Sequence, residues 1–454
     1  MLLDENIRAE VEAIANNQFM PIAWDLKAHL IINGGEVYEF ENIASEKYSA
    51  DYATDCSAYH FIMTQIPYTV YRDTLIPFQN SLRIRLSRTQ KDASGKTPET
   101  ITEVSDEYLA FLVNPQDINK LSLGRKDTGE RQKDLGGLVP VYFQLIDEEF
   151  YYQFNKEVGG IYEGKPETVL FNRLLTTREG ATSTSGLDQR GFKGIRGLDA
   201  ETFQNDRVYD NIVIKGNVRL KNLTKYIQEH YGISTFGINT FWHAGMWYTY
   251  PLFKHNRFSK RARNLTIYNV PEAELPSTDK SYLLRDESLH IISTGKTKIK
   301  DESVSVAANV GTALRMTPAS FYDQNFYEVG GNKVKVKGSE NARTYVSKKA
   351  GHGINNVRYS EQKFNSNPYP EISALNASQG GLITLSWHNA DRTILYPGMP
   401  AKIYYIKPDG TVTFVYGTLV AVMALTTTAG GTVAEDDYRT SCELTFHFKE
   451  EDAE

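Results

Sequence analysis

The chain has 454 residues, a formal net charge of −6 and a hydrophobic share of 41%. That length exceeds one ordinary domain and supplies enough apolar residues for sizeable cores. The acidic balance argues against a nucleic-acid binder as a whole. Cys56 and Cys442 are the only cysteines, too far apart for a CxxC metal spacing or a disulfide framework, so synthesis in a reducing compartment is expected.

In chain order, Ile7, Val11 and Ile14 recur at spacings of four and three, predicting a short helix over 4–16. The charged N-terminus shows no signal-peptide h-region, and no run of about 18 apolar residues predicts a membrane span. From Trp24 to Ile32 apolar residues alternate with polar ones, and Asn33-Gly34-Gly35 turns the chain toward Val37–Ile43, a hairpin signal. A second strand pair follows at Tyr59–Ile66 and Leu82–Leu86, joined through Ile76-Pro77, which disfavours continuation of a helix. Arg83 and Arg85 fall on one face of the latter strand, with Arg88 just beyond. A basic track toward phosphate is one reading; the solvated, charge-guarded face of an edge strand is favoured in an acidic chain.

Polar loops are expected at 91–104 and 114–137, around a strand at Tyr108–Val113. Val139–Tyr152 reads as a strand entering an acidic, aromatic stretch, and 166–176 as a helix opened by Pro166. Residues 176–205 read as a long irregular segment, a contact arm or a lid. Its Gly191, Gly194 and Gly197 give GxxGxxG, which is neither dinucleotide nor P-loop spacing.

A helix is expected over Asn217–His230, stopped by Gly232. The aromatic run from Phe236 to Phe253 contains Trp242 and Trp247. It is read as a strand pair packing rings into a core, with an exposed ligand platform as the alternative. His230, His243 and His255 are too dispersed for a metal site. The basic run Lys254–Arg263, which includes Phe258, mixes charge and aromatics as single-strand binders do, but is read as a solvated ribbon facing an acidic partner. Asn222 and Asn264 match the glycosylation pattern by chance if no secretory signal is present.

A short strand is expected at Leu289–Ile292, a charged hairpin around Val334 and Val336, and a loop over 338–370. Strands then follow at Leu382–Trp387, Ala401–Ile406, Thr411–Met423 and Ser441–Phe448. Tyr396–Pro400 forms a rigid corner, and Pro408-Asp409-Gly410 a turn. No GxSxG, HExxH or DxDxDG motif occurs, and neither cysteine has an activating neighbourhood in sequence. No catalytic, cofactor-binding or metal-ligating residue is assigned, and no cofactor is expected.

Three stretches carry a resemblance: residues 58–86, AYHFIMTQIPYTVYRDTLIPFQNSLRIRL; residues 226–253, YIQEHYGISTFGINTFWHAGMWYTYPLF; and the pair NSNPYPEISAL and LYPGMPAKIYY at 365–375 and 395–405. In this order they resemble the baseplate central hub proteins of contractile-tailed phages of the T-even type. The resemblance implies a mainly β, β-rich α+β chain with two tail-tube-like antiparallel β-barrels. It implies the first barrel's N-terminal part at 1–112, an inserted loop-rich α+β region at 113–215, an aromatic-rich helix–strand domain at 216–310 and the second barrel at 311–454. It further implies a non-enzymatic homotrimer in the virion tail, assembled in the host cytoplasm. Its partners would be the tail tube protein, the central spike protein and other baseplate proteins, with genomic DNA passing unbound. A host-surface carbohydrate or receptor binder and a β-scaffold glycosidase are the alternatives. The first would expose Trp242 and Trp247, and the second would place a carboxylate pair about 5–10 Å apart in a pocket.

Overall fold

The computed structural model describes residues 5–17, 23–40, 42–91, 104–113, 137–182, 195–271, 280–301, 367, 369–378, 380–406, 411–428 and 437–449, with four short β segments between 313 and 359. It is mainly β, the class read from the sequence. In chain order the strands are β1 (Ala23–Ile32), β2 (Gly35–Phe40), β3 (Ile43–Asp51), β4 (Tyr59–Pro67), β5 (Leu82–Lys91), β6 (Val104–Leu112) and β7 (Leu138–Asp147). Short β8 (Gly160–Gly164), β9 (Gly197–Ala200), β10 (Tyr209–Ile214), β11 (Asn239–His243) and β12 (Met246–Tyr250) follow. Next come β13 (Leu265–Val270), β14 (Tyr282–Arg285) and β15 (Ser288–Asp301). The small segments are β16 (Ala313–Arg315), β17 (Phe326–Val329), β18 (Asn332–Lys335) and β19 (Val357–Tyr359). The chain ends in β20 (Gly381–Trp387), β21 (Pro400–Ile406), β22 (Val412–Thr428) and β23 (Tyr438–Phe448).

The pairings close into two circuits that share one hairpin. The first runs β22–β3–β4–β7–β6–β5–β1–β23 and back to β22, antiparallel throughout. Its join between β1 and β23 is a single pair, Trp24 with Tyr438. The second runs β13–β21–β22–β23–β20–β15 and back to β13. Here β13 lies parallel to both neighbours, a departure from the all-antiparallel pairing expected. The reason is topological: β13 enters from the inserted region and β15 follows through the β14 hairpin, so both run the same way beside it.

Strand length makes the sharing possible. β22 has 17 residues, so Pro400–Ile406 pairs along its first part while Ser45–Asp51 pairs along its last. A bulge between Leu419 and Ala421 separates the two stretches, where the strand is re-aimed from one barrel to the other. Each interior is filled by side chains. Leu26, Leu30, Ile62, Ile84 and Phe143 pack the first, and Ile267, Ile291, Ile403, Leu444 and Phe446 pack the second. The period-2 alternation of the strands places them there.

The Asn33-Gly34 turn has φ of 53° and 83°, the left-handed pair that a tight hairpin requires. After Pro67 a helical turn, Tyr68–Val70, widens into a π-type segment, Tyr71–Leu75, and ends ahead of Pro77. Asp147 closes β7 and caps the Glu148–Gln153 helix, accepting from the Phe150 amide at 3.0 Å. The inserted region packs the 166–182 and 220–230 helices with β8–β12 around Trp242, Trp247, Ile227 and Leu170. The first of these helices runs through Thr182, past the irregular start expected at 176. Gly197 opens β9, while Gly191 and Gly194 lie outside the described residues, as does most of 338–370. Inside that last stretch and beyond it, Tyr369–Ser378 is a helix that the sequence does not announce. The charged hairpin around Val334 appears as β17 paired with β18; Val336 lies outside the description. The Glu5–Ala15 helix lies on the second barrel, with Ile7, Val11 and Ile14 buried against it. Among the described residues no helix is long and apolar enough to cross a membrane.

Candidate functional site

Among the described residues, the densest chemistry is a buried charge cluster where the two barrels meet. In β3 the inward alternation passes through Glu46, Tyr48 and Ala50, so one carboxylate takes an interior position. In β5 the inward set is Leu82, Ile84 and Leu86, and the next member is Arg88. Arg392 arrives from the opposite direction, in the turn that leads from β20 to β21.

Glu46 Oε1 accepts from Arg392 at 2.7 Å, from His60 Nε2 at 2.7 Å and from Arg88. Burial would raise the Glu46 carboxyl, but the two guanidiniums and His60 outweigh it and hold the group well below the usual range. Burial, and then the nearby arginines, push His60 down to about 4, so it is a neutral donor here. The Arg392 guanidinium also lies 4.3 Å over the Tyr48 ring. Asp391 is buried beside it and accepts from the Thr393 amide at 3.0 Å and its hydroxyl at 2.6 Å. Glu46 Oε2 has no hydrogen-bond partner among the described residues, and Glu46 lines a cavity of about 20 Å³, room for about one water. A carboxylate locked ionised by two arginines, beside a neutral histidine, is an electrostatic rivet and a poor acid or base.

These positions correct the expectation for the arginines of β5. That strand is not an edge, because β1 and β6 flank it. Arg88 points inward, and Arg83 holds Glu148 at 2.7 Å and Glu107 at 3.0 Å across the barrel's outer wall. None of the three forms an open phosphate track.

The basic run 254–263 is likewise not a solvated ribbon. Arg257 is buried; it donates to the Gly398 carbonyl at 2.9 Å, the Thr418 hydroxyl at 3.0 Å and the Lys254 carbonyl at 2.9 Å, and pairs with Glu201. Arg261 holds Asp199 at 2.8 and 3.0 Å. Arg263 covers Tyr396 at 4.6 Å. The run clamps the inserted region onto the Tyr396–Pro400 corner of the second barrel. Its compensating acids lie about 60 residues upstream in β9 and just after it, so no local pattern announced them. Asp199 and Glu201 share a shallow pocket with that corner, but each is engaged by arginine.

Trp242 and Trp247 are buried edge to face at 5.1 Å, against Phe150, and offer no ligand platform. The three histidines do not converge. His230 stacks on Tyr226 at 4.1 Å, His243 is half-buried and pushed down to about 4, and His255 meets His447 at 3.1 Å. Among the described residues no three His, Cys, Asp or Glu gather as a metal site. Burial pushes the Cys442 thiol up to about 12 and Cys56 to about 11, so neither is an activated nucleophile. The Asn264 amide donates to the Phe258 and Arg261 carbonyls, a structural role.

No protein-family model and no curated protein matches the chain. Among solved structures, the tail protein from Neisseria meningitidis MC58 is similar with a TM-score of 0.45 at 8% identity, over 94% of this chain and 97% of that one. The 43 kDa tail protein of prophage MuSo2 from Shewanella oneidensis gives 0.42 at 8% identity, over 93% and 98%. The half-lidded Francisella PdpA-VgrG complex gives 0.45 at 10% identity, over 99% of this chain and 62% of that one.

Proposed function

We propose that the chain is a structural protein of a phage-type tail, and within it the baseplate hub that joins a hexameric tube to a trimeric spike. The observation that carries the reading is the pair of side-chain-filled barrels fused through the β22–β23 hairpin. Three such chains bring six barrels around one axis, the number a hexameric tube presents. A fused hairpin fixes the angle between neighbouring barrels within a chain, which a ring needs and a flexible linker would not give. The buried arginine clamps at Glu46 and at Arg257 support the same role, because both spend their charge on holding elements together. In this reading the protein performs no catalysis. Its net charge of −6 lets duplex DNA pass through the ring without adhering.

The test is assembly. The purified chain is mixed with candidate tail tube and central spike proteins from the same genome and imaged by electron microscopy. A ring of three copies capping the tube at one end and the spike at the other is the expected result. A chain that stays monomeric with both partners present overturns the proposal.

A further inference from the structure

The outer wall of the second barrel carries a continuous row of aromatic rings. Tyr268 of β13 stacks on Tyr404 of β21, with centroids 5.4 Å apart and planes within 9°. Tyr404 meets Phe414 of β22 at 5.7 Å, Phe414 meets Tyr416 at 5.4 Å, and Phe258 meets Tyr416 at 5.8 Å. The register explains the row, since Tyr268 is paired with Tyr404 and Tyr404 with Phe414.

One half of this wall is already covered. The Glu5–Ala15 helix sets Ile7, Val11 and Ile14 on Tyr268, Val270 and Ile292, and its Glu10 lies 2.8 Å from Arg285 at the border. The wall therefore takes an amphipathic helix whose apolar face meets the rings and whose carboxylate meets a flanking cation. The other half repeats that chemistry with less cover: Tyr404 is half-buried at the edge of the resident helix's cluster, Tyr416 and Phe258 are half-buried, and Phe414 is exposed. Phe414 is 44% exposed. Lys402 Nζ sits 4.1 Å over Phe414 and 4.8 Å over Tyr404, with no carboxylate of the described residues within 4.0 Å. Lys260 is exposed just past Phe258. The spacing fits as well. Moving from β15 and β13 to β21 and β22 is two strand steps, about 9.6 Å, which matches an interhelical distance of about 8–10 Å.

We infer that Tyr404, Phe414, Tyr416 and Phe258, bordered by Lys402 and Lys260, form a seat for an acidic amphipathic helix of a partner protein, laid beside the chain's own N-terminal helix. Recognition is of the helix-in-groove kind, with aromatic anchors and a cationic border. It does not depend on the tail reading.

The test uses the full chain and a fluorescein-labelled peptide of residues 4–17, DENIRAEVEAIANN, locked helical by a side-chain bridge, as the acidic amphipathic probe. Fluorescence anisotropy is expected to show micromolar binding that weakens with salt. Lys402→Glu and Phe414→Asp, each with an unchanged melting curve, are expected to weaken it at least 10-fold, while Arg285→Glu stays within about 2-fold. If Phe414→Asp alters the melt, Lys402→Glu alone decides. Binding that responds to Arg285→Glu and ignores Lys402→Glu means exchange with the resident helix, and overturns the inference. So does equal binding of a peptide with its glutamates changed to lysine, or no binding. Self-association of the wild type that Lys402→Glu abolishes assigns the seat to a second copy and also overturns it.

Discussion

Glu46 and Arg392 lie 346 residues apart in the chain and meet at 2.7 Å in its interior. Glu46 belongs to a strand found only in the first barrel, and Arg392 to the turn that feeds β21 of the second. The contact therefore ties together two barrels that already share a hairpin. Because Arg88 and His60 converge on the same oxygen, the carboxylate organises four elements at once.

Removing that carboxylate leaves two buried guanidiniums facing each other. Glu46→Gln is expected to destabilise the fold by about 3–5 kcal/mol, the usual cost of stranding a buried charge. Denaturant unfolding followed by tryptophan fluorescence measures it. A shift below about 0.5 kcal/mol would show that the cluster is not a structural rivet.

The Tyr396–Pro400 corner depends on one residue without a side chain. Gly398 has φ of 67°, and a Cβ there would sit 2.1 Å from the Tyr250 ring, while its carbonyl receives Arg257. The left-handed backbone alone costs a non-glycine residue about 1–2 kcal/mol. Gly398→Ala is expected to exceed that and to lower the melting temperature by several degrees. Gly34→Ala, with the same backbone strain and nothing within 4 Å, isolates the backbone part.

What could be read in the sequence was local. Asn33-Gly34 announced its hairpin, Ile7, Val11 and Ile14 their helix, and Gly232 the end of the 220–230 helix. Pairing between strands far apart carried no such mark. Nothing near Trp24 names Tyr438 as its partner, and nothing in β22 says that its two ends serve different barrels. The charge clusters were hidden for the same reason. Arg88 and Arg257 look like surface residues because Glu46 and Glu201 are distant in sequence. The 369–378 helix was missed because it begins Tyr-Pro and offers few aliphatic positions for a periodicity to show.

The thiols give a direct probe of how tightly the shared hairpin is packed. Cys442 is 1% exposed in β23 and its thiol is pushed up to about 12. Ellman's reagent at pH 8 is expected to leave Cys442 unmodified in the folded chain and to modify both cysteines in guanidinium. Fast reaction of Cys442 under native conditions would mean that the hairpin opens. Cys56→Ser separates the two signals.

Asp147 sits at the passage from the first barrel into the inserted region, where it caps the 148–153 helix. Burial, and then the neighbouring Glu149, push its carboxyl up to about 7, against an ordinary value near 4. The folded chain then holds a proton in that interval which the unfolded chain has released. Stability from this group is present below about 4 and falls as pH rises through 7. His60 and His243 act oppositely. Each is pushed down to about 4 in the fold, so their contribution grows as pH rises from 4 through about 6.5 and levels off only above about 7.5. The histidine contributions are common to both proteins, so the gap in melting temperature between the wild type and Asp147→Asn, which keeps a capping oxygen without the charge, isolates Asp147. That gap is expected to widen in the variant's favour as pH rises from about 5 to 8. At pH 8 the variant should melt at least about 2 °C above the wild type. Parallel curves for the two proteins would show that Asp147 is ionised throughout and that its burial has been offset by another group.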